Sequence, residues 1–285
     1  MKFKFFKYQA CGNDFIIRDE LDCEPFPEEK RGALAKRLCQ RNFGIGADGL
    51  IFIVPSKKAD AKMRLFDRDG PEADMCGNGI RCVGAYLHRK WGKDKLFVET
   101  KDDIKEIFKM GEDYKVNMGP LRYKMRELRE YFNYDFAPDE PLLDKVISFP
   151  GLGEVKVSVV NTGEPHAVIF TEDIEGVEME RYGRSITKNE SIFPKFINVD
   201  LVQVPGKDIK VRTYERGVFY ETLACGTGAT AAAGVAKLTG RINQDRIKVT
   251  TKGGEMVIEI RDLHMNMIGP AVFVYQGELE IGSIN

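Results

Sequence analysis

Long hydrophobic runs are missing from this sequence, and no apolar stretch approaches the roughly 20 residues of a membrane-crossing helix, so no spanning helix is expected. An excess of one charge is missing too. Lys and Arg number 43 against 44 Asp and Glu, for a net charge of −1, which leaves no electrostatic case for nucleic acid or an anionic membrane as partner. Histidine is scarce, with three residues at 88, 166 and 264, and there is neither Cys-x-x-Cys nor His-x-x-x-His. A four-ligand zinc site is therefore not expected. Six cysteines in 285 residues lack the density of a disulfide scaffold, which suits a reducing cytoplasm. The opening Met1-Lys2-Phe3-Lys4-Phe5-Phe6-Lys7 is too short and too broken by lysine for a signal peptide, and reads as a strand.

What is present suffices for two domains with their own cores, at 43% hydrophobic and 31% charged residues. Strands are predicted over Phe3–Tyr8 and Phe15–Arg18, then a helix over Glu28–Arg41 with Leu34 and Leu38 on one face. Strands over Leu50–Val54 and Lys62–Phe66 precede a helix that starts near Cys76 and stops at Gly92. Leu96–Thr100, Ile104–Phe108 and Tyr114–Met118 complete a set of short strands, a pattern that predicts a curled sheet around one long helix. Between Pro120 and Pro150 the periodicity weakens, and a crossing between domains is expected there. The theme then returns: Glu154–Val160, Ala167–Thr171, Ile197–Val204 and Lys207–Glu215, a helix after Cys225, then Ile247–Thr251, Glu255–Ile260 and Met265–Tyr275.

The two helix starts share one frame. Cys76-Gly77-Asn78-Gly79 opens the first and Cys225-Gly226-Thr227-Gly228 the second. The first turn of a helix carries backbone N–H groups with no intrahelical partner and a partial positive charge. Glycine lets a ligand come close to them, so such a turn can hold a carboxylate. The same field is expected to lower a thiol's pKa from about 8.5 toward neutrality. Two such turns could grip one carboxylate with a sulfur on each side of its α-carbon. One thiolate would then remove the α-proton while the other thiol returns one to the opposite face, as in a two-base racemase.

Other motifs carry less. Gly44-x-Gly46-x-x-Gly49 matches the dinucleotide fingerprint in letters, but a helix precedes it and a strand follows, the reverse of what that site requires. Gly226-x-Gly228-x-x-Ala231 lies between strand and helix, yet the acidic Asp245 comes before the next strand instead of ending it. Cys23, Cys39 and Cys82 read as buried small hydrophobes; Cys11, beside a Gly-Asn turn, takes a packing role or lines a pocket.

Taken together, Gly12-Asn13-Asp14-Phe15, Asp69-Gly70, Met75 to Cys82, Gly163-x-Pro165-His166, Tyr214 to Gly217 and Glu221 to Gly228 resemble the diaminopimelate epimerase family. Gly269-Pro270-Ala271 before a last strand matches as well. The resemblance implies an α/β fold (α+β type) of two pseudo-symmetric lobes, each a mostly antiparallel curled sheet around a central helix. The lobes are expected at 1–120 plus 272–285 and at 121–271. It implies an active site in a cleft between them, closing on substrate, with no pyridoxal phosphate, no other cofactor and no metal. The implied reaction is epimerisation of LL-2,6-diaminopimelate to the meso form, used for lysine and peptidoglycan, with Cys76 and Cys225 as the acid–base pair. Gly77, Asn78, Gly226 and Thr227 would supply N–H groups to the reacting carboxylate. Asn13, Glu215, Arg216 and Asn198 would contact the substrate's polar groups, and His166 would support the site. The expected partner is a small amino acid, with neither nucleic acid nor membrane involved and a homodimer admissible.

Two positions depart from the family pattern. Phe66-Asp67-Arg68-Asp69-Gly70 stands where Phe-Asn-x-Asp-Gly is common, and Gly163-Glu164-Pro165-His166 where Gly-Asn-Pro-His is common. Asp67 and Glu164 would thus bring carboxylates to the substrate's distal end, unless Arg68 or Arg216 compensates. A racemase of lysine, ornithine or arginine is the alternative within the same mechanism; a non-catalytic dinucleotide or small-molecule binding protein is the alternative outside it. A thiol-only mechanism predicts that added pyridoxal phosphate and added chelator both leave turnover unchanged. A tenfold response to either, in an assay of α-proton exchange, would contradict it.

Overall fold

The computed structural model describes residues 2–101 and 103–282. Its chain divides into two compact units, Met1–Asn117 with Gly269–Asn285, and Met118–Ile268.

In the first unit, β1 (Lys2–Ala10) and β2 (Asn13–Asp19) form a hairpin whose turn holds Cys11 and Gly12 at φ of 51° and 79°. The predicted helix over Glu28–Arg41 is a 3-10 turn, Glu28–Lys30, followed by the shorter α1 (Arg31–Leu38). It stops there because the N–H of Gly46, a residue at φ 78°, takes the Leu38 carbonyl at 2.9 Å and turns the chain away. Next come β3 (Gly49–Val54), β4 (Ala61–Asp67), β5 (Glu72–Ala73), α2 (Gly77–Trp91), β6 (Lys95–Glu99), β7 (Ile104–Met110) and β8 (Asp113–Pro120). The final strand, β18 (Val272–Glu280), pairs antiparallel with β1.

The sheet of this unit runs β18, β1, β2, β3, β4, β6, β7, β8, antiparallel except where β2 meets β3 and β4 meets β6. Leu50, Ile51, Phe52 and Ile53 of β3 are all buried, since both faces are covered. This accounts for their unbroken apolar run. Leu50 and Phe52 join Leu34 and Leu38 of α1 in one core, while Ile51 lies on the side of α2, near Gly79. Every residue of α2 from 77 to 87 is buried, so the sheet curls around this helix. Gly84 is what lets β7 close in, because a Cβ there would stand 2.8 Å from Cγ2 of Ile107.

The second unit contains α3 (Met125–Leu128), β9 (Lys145–Phe149), β10 (Gly153–Asn161), β11 (Pro165–Phe170), α4 (Met179–Thr187), β12 (Asn198–Gln203), β13 (Ile209–Glu215) and β14 (Tyr220–Thr222). These lead to α5 (Gly226–Leu238), β15 (Arg246–Thr251), β16 (Gly254–Arg261) and β17 (His264–Pro270). From β10 to β17 the order of elements repeats that from β1 to β8, with α4 and α5 in the places of α1 and α2. Pairing repeats too: β11 and β12 are parallel, like β2 and β3, and β13 and β15 are parallel, like β4 and β6. Residues 226–236 of α5 are all buried; alanine and glycine supply most of that stretch, so strands approach it closely.

Three further features differ from the sequence expectation. The strand predicted over Met265–Tyr275 is two strands, β17 and β18, parted at Ala271 after Pro270, which has no N–H to continue a ladder. The weakly patterned 120–150 stretch contains α3 and β9, each too short to show a period. Helix α4 was not legible because it is nine residues long with glycine at its centre. That glycine packs on a ring: a Cβ at Gly183 would lie 2.2 Å from Cγ of Tyr214. Gly183→Ala is expected to cost about 1–3 kcal/mol through overpacking, read as a lower urea midpoint with an unchanged slope. An unshifted midpoint would contradict this packing.

Candidate active site

Both sulfurs occupy the residue that caps a helix. Cys76 is extended, at φ −140° and ψ 122°, and its Sγ accepts the N–H of Gly79 at 3.4 Å. Cys225 repeats this at φ −115° and ψ 116°, accepting the N–H of Gly228 at 3.4 Å. Serine, aspartate or asparagine would cap better, since sulfur is a weak acceptor. A thiol at this position in both units therefore speaks for chemistry over helix stability. With Gly79 and Gly228 engaged on sulfur, Gly77, Asn78, Gly226 and Thr227 are the first-turn residues whose N–H groups fall outside the intrahelical ladder.

In the first unit, Cys76 belongs to a chain of polar side chains. Its Sγ lies 3.6 Å from Oδ1 of Asn13, which also accepts from Nδ2 of Asn78 at 3.3 Å. Asn78 in turn accepts through Oδ1 from Nη2 of the fully buried Arg81 at 2.6 Å. On its other side Asn13 donates from Nδ2 to Oδ2 of Asp48 at 2.8 Å, and Arg41 bridges Asp48 and Asp14. Cys76, Gly77, Asn78 and Asn13 are thus together. Asp67 lies at the end of β4, opposite Gly49, in a turn closed by its N–H on the Pro71 carbonyl. The N–H of Arg68 reaches the Asp48 carbonyl at 3.2 Å, which ties this turn to the loop bearing Asp48.

In the second unit, His166 Nδ1 donates to the Asp200 carboxylate at 2.7 Å, and both side chains are fully buried. Asp200 also accepts from Thr213 Oγ1 at 2.7 Å. The start of α5 rests on this pair: a Cβ at Gly228 would stand 2.4 Å from Oδ1 of Asp200. Asn198 donates to the Pro165 carbonyl at 3.1 Å and accepts the backbone N–H of Arg216 at 2.9 Å. The Arg216 guanidinium pairs with Glu164, with Nε 2.6 Å from Oε2. Glu215 accepts from the Thr222 hydroxyl. Beside the sulfur, Thr227 Oγ1 lies 3.2 Å from Cys225 Sγ, and its carbonyl is held by Thr162.

Burial outweighs the helix field at the second sulfur. The Cys225 thiol is pushed well above its ordinary value by loss of water, with the Glu215 and Asp200 charges adding to the effect. The expectation of a thiol lowered toward neutrality therefore fails at Cys225. Desolvation of a thiolate exceeds what the N–H of Gly228 and the Thr227 hydroxyl return. Burial likewise raises Cys11 and Cys82, and takes Cys39 up to about 12, which leaves these three as inert packing groups. Glu215 is pushed up to about 7, by burial first and then by the Asp200 and Glu164 charges.

Asp48, Arg81, Asp200 and Thr213 were not singled out by the sequence reading. Asp200 had a signal, since it shares a strand face with Asn198 inside the apolar run Val199, Leu201 and Val202. Asp48 sits in the glycine-bearing loop that was set aside as a false fingerprint.

Glu215 generates a stability prediction. Its folded value, about 7, exceeds an ordinary value of 4.5. The folded chain thus holds a proton that the unfolded chain has lost. The resulting stabilisation is complete below about 4.5 and disappears as pH rises through about 7. Relative to Glu215→Gln, the native chain should therefore lose stability across that window. Urea unfolding of both at several pH values checks it, and parallel curves would contradict it.

Comparison with known proteins places these features in context. The family model for diaminopimelate epimerase matches residues 5–124 and 158–274. A diaminopimelate epimerase of Methanocella arvoryzae is 43% identical over 284 residues, covering 98% of each chain. One of Methanothrix thermoacetophila is 41% identical over 279 residues, covering 96% of this chain and 95% of its own. Among solved structures, a probable proline racemase from Agrobacterium radiobacter shares the fold with a TM-score of 0.71 at 13% identity, over 98% of this chain and 93% of its own.

Proposed function

Since this chain belongs to the diaminopimelate epimerase family, we propose that it interconverts LL- and meso-2,6-diaminopimelate, with Cys76 and Cys225 as its two acid–base groups. The observation that carries this reading is the sulfur cap found at equivalent places of the repeated element order, at the starts of α2 and α5. In the reaction one sulfur, as thiolate, takes the α-proton, and the C–H electron pair moves into the carboxylate. The other sulfur gives its proton to the opposite face of the same carbon, and the thiolate and thiol exchange roles. First-turn N–H groups at Gly77, Asn78, Gly226 and Thr227 oppose the charge that builds on the carboxylate oxygens. Because burial holds Cys225 protonated, it enters the cycle as the acid in the direction that Cys76 opens as base. Among the described residues no helix is long and apolar enough to cross a membrane.

The distal end of the substrate falls to Asn198, Asp67 and Glu164 in this reading, and Asn13, Glu215 and Arg216 contact its polar groups. Glu164 pairs with Arg216, so its charge is balanced within its own unit. That pairing favours diaminopimelate over a basic amino acid, because no uncompensated carboxylate at Glu164 waits for a lone ammonium or guanidinium.

The test incubates the protein with LL-diaminopimelate in deuterated water. Meso product with one deuterium at the inverted carbon is expected, together with a loss of about 10³-fold or more in Cys76→Ala and in Cys225→Ala. Near-native turnover in either variant would overturn the two-thiol mechanism. Relative kcat/KM for L-lysine, L-ornithine and L-arginine should be lower by about two orders of magnitude or more, roughly 2.7 kcal/mol. If one of them is preferred, and Asp67→Asn with Glu164→Asn reverses the order, the basic-amino-acid racemase is correct.

A further inference from the structure

We infer that Asp48 is a positioning residue, turning the Asn13 amide so that its carbonyl oxygen receives the Cys76 thiol proton in the free protein. This rests on the reading of Cys76 as an acid–base group, and assigns the device that sets its proton. A carboxylate only accepts hydrogen bonds when ionised, and a guanidinium only donates. Asp48 Oδ2, 2.8 Å from the Asn13 side chain, therefore requires the amide nitrogen to face it. From the far end, Arg81 Nη2 at 2.6 Å requires the oxygen of Asn78, which leaves the Asn78 NH2 pointing at Asn13. That contact, 3.3 Å, again requires the oxygen of Asn13. Two anchors of opposite polarity thus demand the same orientation. Turning the Asn13 amide over would set oxygen against carboxylate and NH2 against NH2.

The consequence falls on the sulfur. Cys76 Sγ lies 3.6 Å from the oxygen so oriented. A thiol makes an attractive S–H contact there, whereas a thiolate would meet a carbonyl lone pair. Asp48 is itself held, by Arg41 Nη2 at 2.7 Å, and its Oδ2 also takes the Asp14 N–H at 3.2 Å. Other charges around the chain are Lys7, paired with Asp14 at 2.7 Å, and the Asp74–Lys101 pair at 2.7 Å just before the cap. The thiols of Cys11 and Cys82 on the Arg81 side are kept neutral by burial. Cys76 accordingly keeps its proton until substrate rearranges the contacts of Asn13 and the proton passes to solvent, which spares an empty site from alkylation and oxidation.

The test follows the pH dependence of iodoacetamide alkylation at Cys76 in the full chain, read by mass on the peptide that carries it. Asp48→Asn removes the stronger of the two anchors and leaves only the 3.3 Å contact from Asn78 to orient the Asn13 amide; it should lower the midpoint by about one pH unit, a tenfold gain in thiolate. Asp48→Glu should restore it. Asp14→Asn removes an equal charge from the same Arg41 without facing the Asn13 side chain, and should move the midpoint by less than about a third as much. Equal shifts in Asp48→Asn and Asp14→Asn would reduce the effect to plain charge and overturn the proposal, as would no shift in Asp48→Asn. A second reading needs no variant at Asp48. The Raman S–H band of Cys76, assigned by its loss in Cys76→Ser, should lie at a hydrogen-bonded frequency at neutral pH. A free S–H frequency, or no band, would overturn the proposal. Neither measurement involves turnover, so failure here leaves the epimerase reading standing, and failure of that reading leaves these outcomes informative.

Discussion

A sulfur atom accepting the N–H of the third residue of a buried helix is the contact around which each unit is arranged. It requires a helix whose first turn lies inside the protein, hence the eleven consecutive buried residues at the start of α2 and again of α5. A helix buried on all sides must be ringed by other elements, and the strands of its own unit supply the ring. Small residues follow from the same demand. Gly84 admits Ile107, and Gly228 admits Asp200, because a side chain at either place would collide.

The two sulfurs share this geometry but not their surroundings. Cys225 sits with Glu215 and Asp200 nearby, and loss of water dominates its ionisation. Cys76 is less buried and belongs to a chain of amides that runs between Asp48 and Arg81. Equal positions in a repeated fold therefore do not give equal surroundings. Helix-terminal charge acts within about one turn and is worth at most about 2 kcal/mol. Burial of a thiolate costs more than that when no cation stands beside it.

Glu164 and Arg216 show how a departure from a family pattern can be absorbed locally. An asparagine replaced by glutamate adds a charge, and the neighbouring guanidinium takes it up in a charge-assisted pair. Asn198 holds the Arg216 backbone at the same time.

Much of this was legible in the chain itself. Repetition of Cys-Gly-x-Gly before two apolar helical stretches marked both caps, and alternation located most strands, because cap chemistry and side-chain periodicity are local properties. Tertiary structure alone decided the rest. The end of α1 depends on Gly46 reaching back to Leu38, a contact that no periodicity encodes. Asp48 meets Asn13 across 35 positions and Asp200 meets His166 across 34, so their roles exist only once strands pair. The ionisation of Cys225 was misjudged from sequence for the same reason. The helix start that favours a thiolate can be read from neighbouring residues, but the water excluded from it depends on everything folded around it.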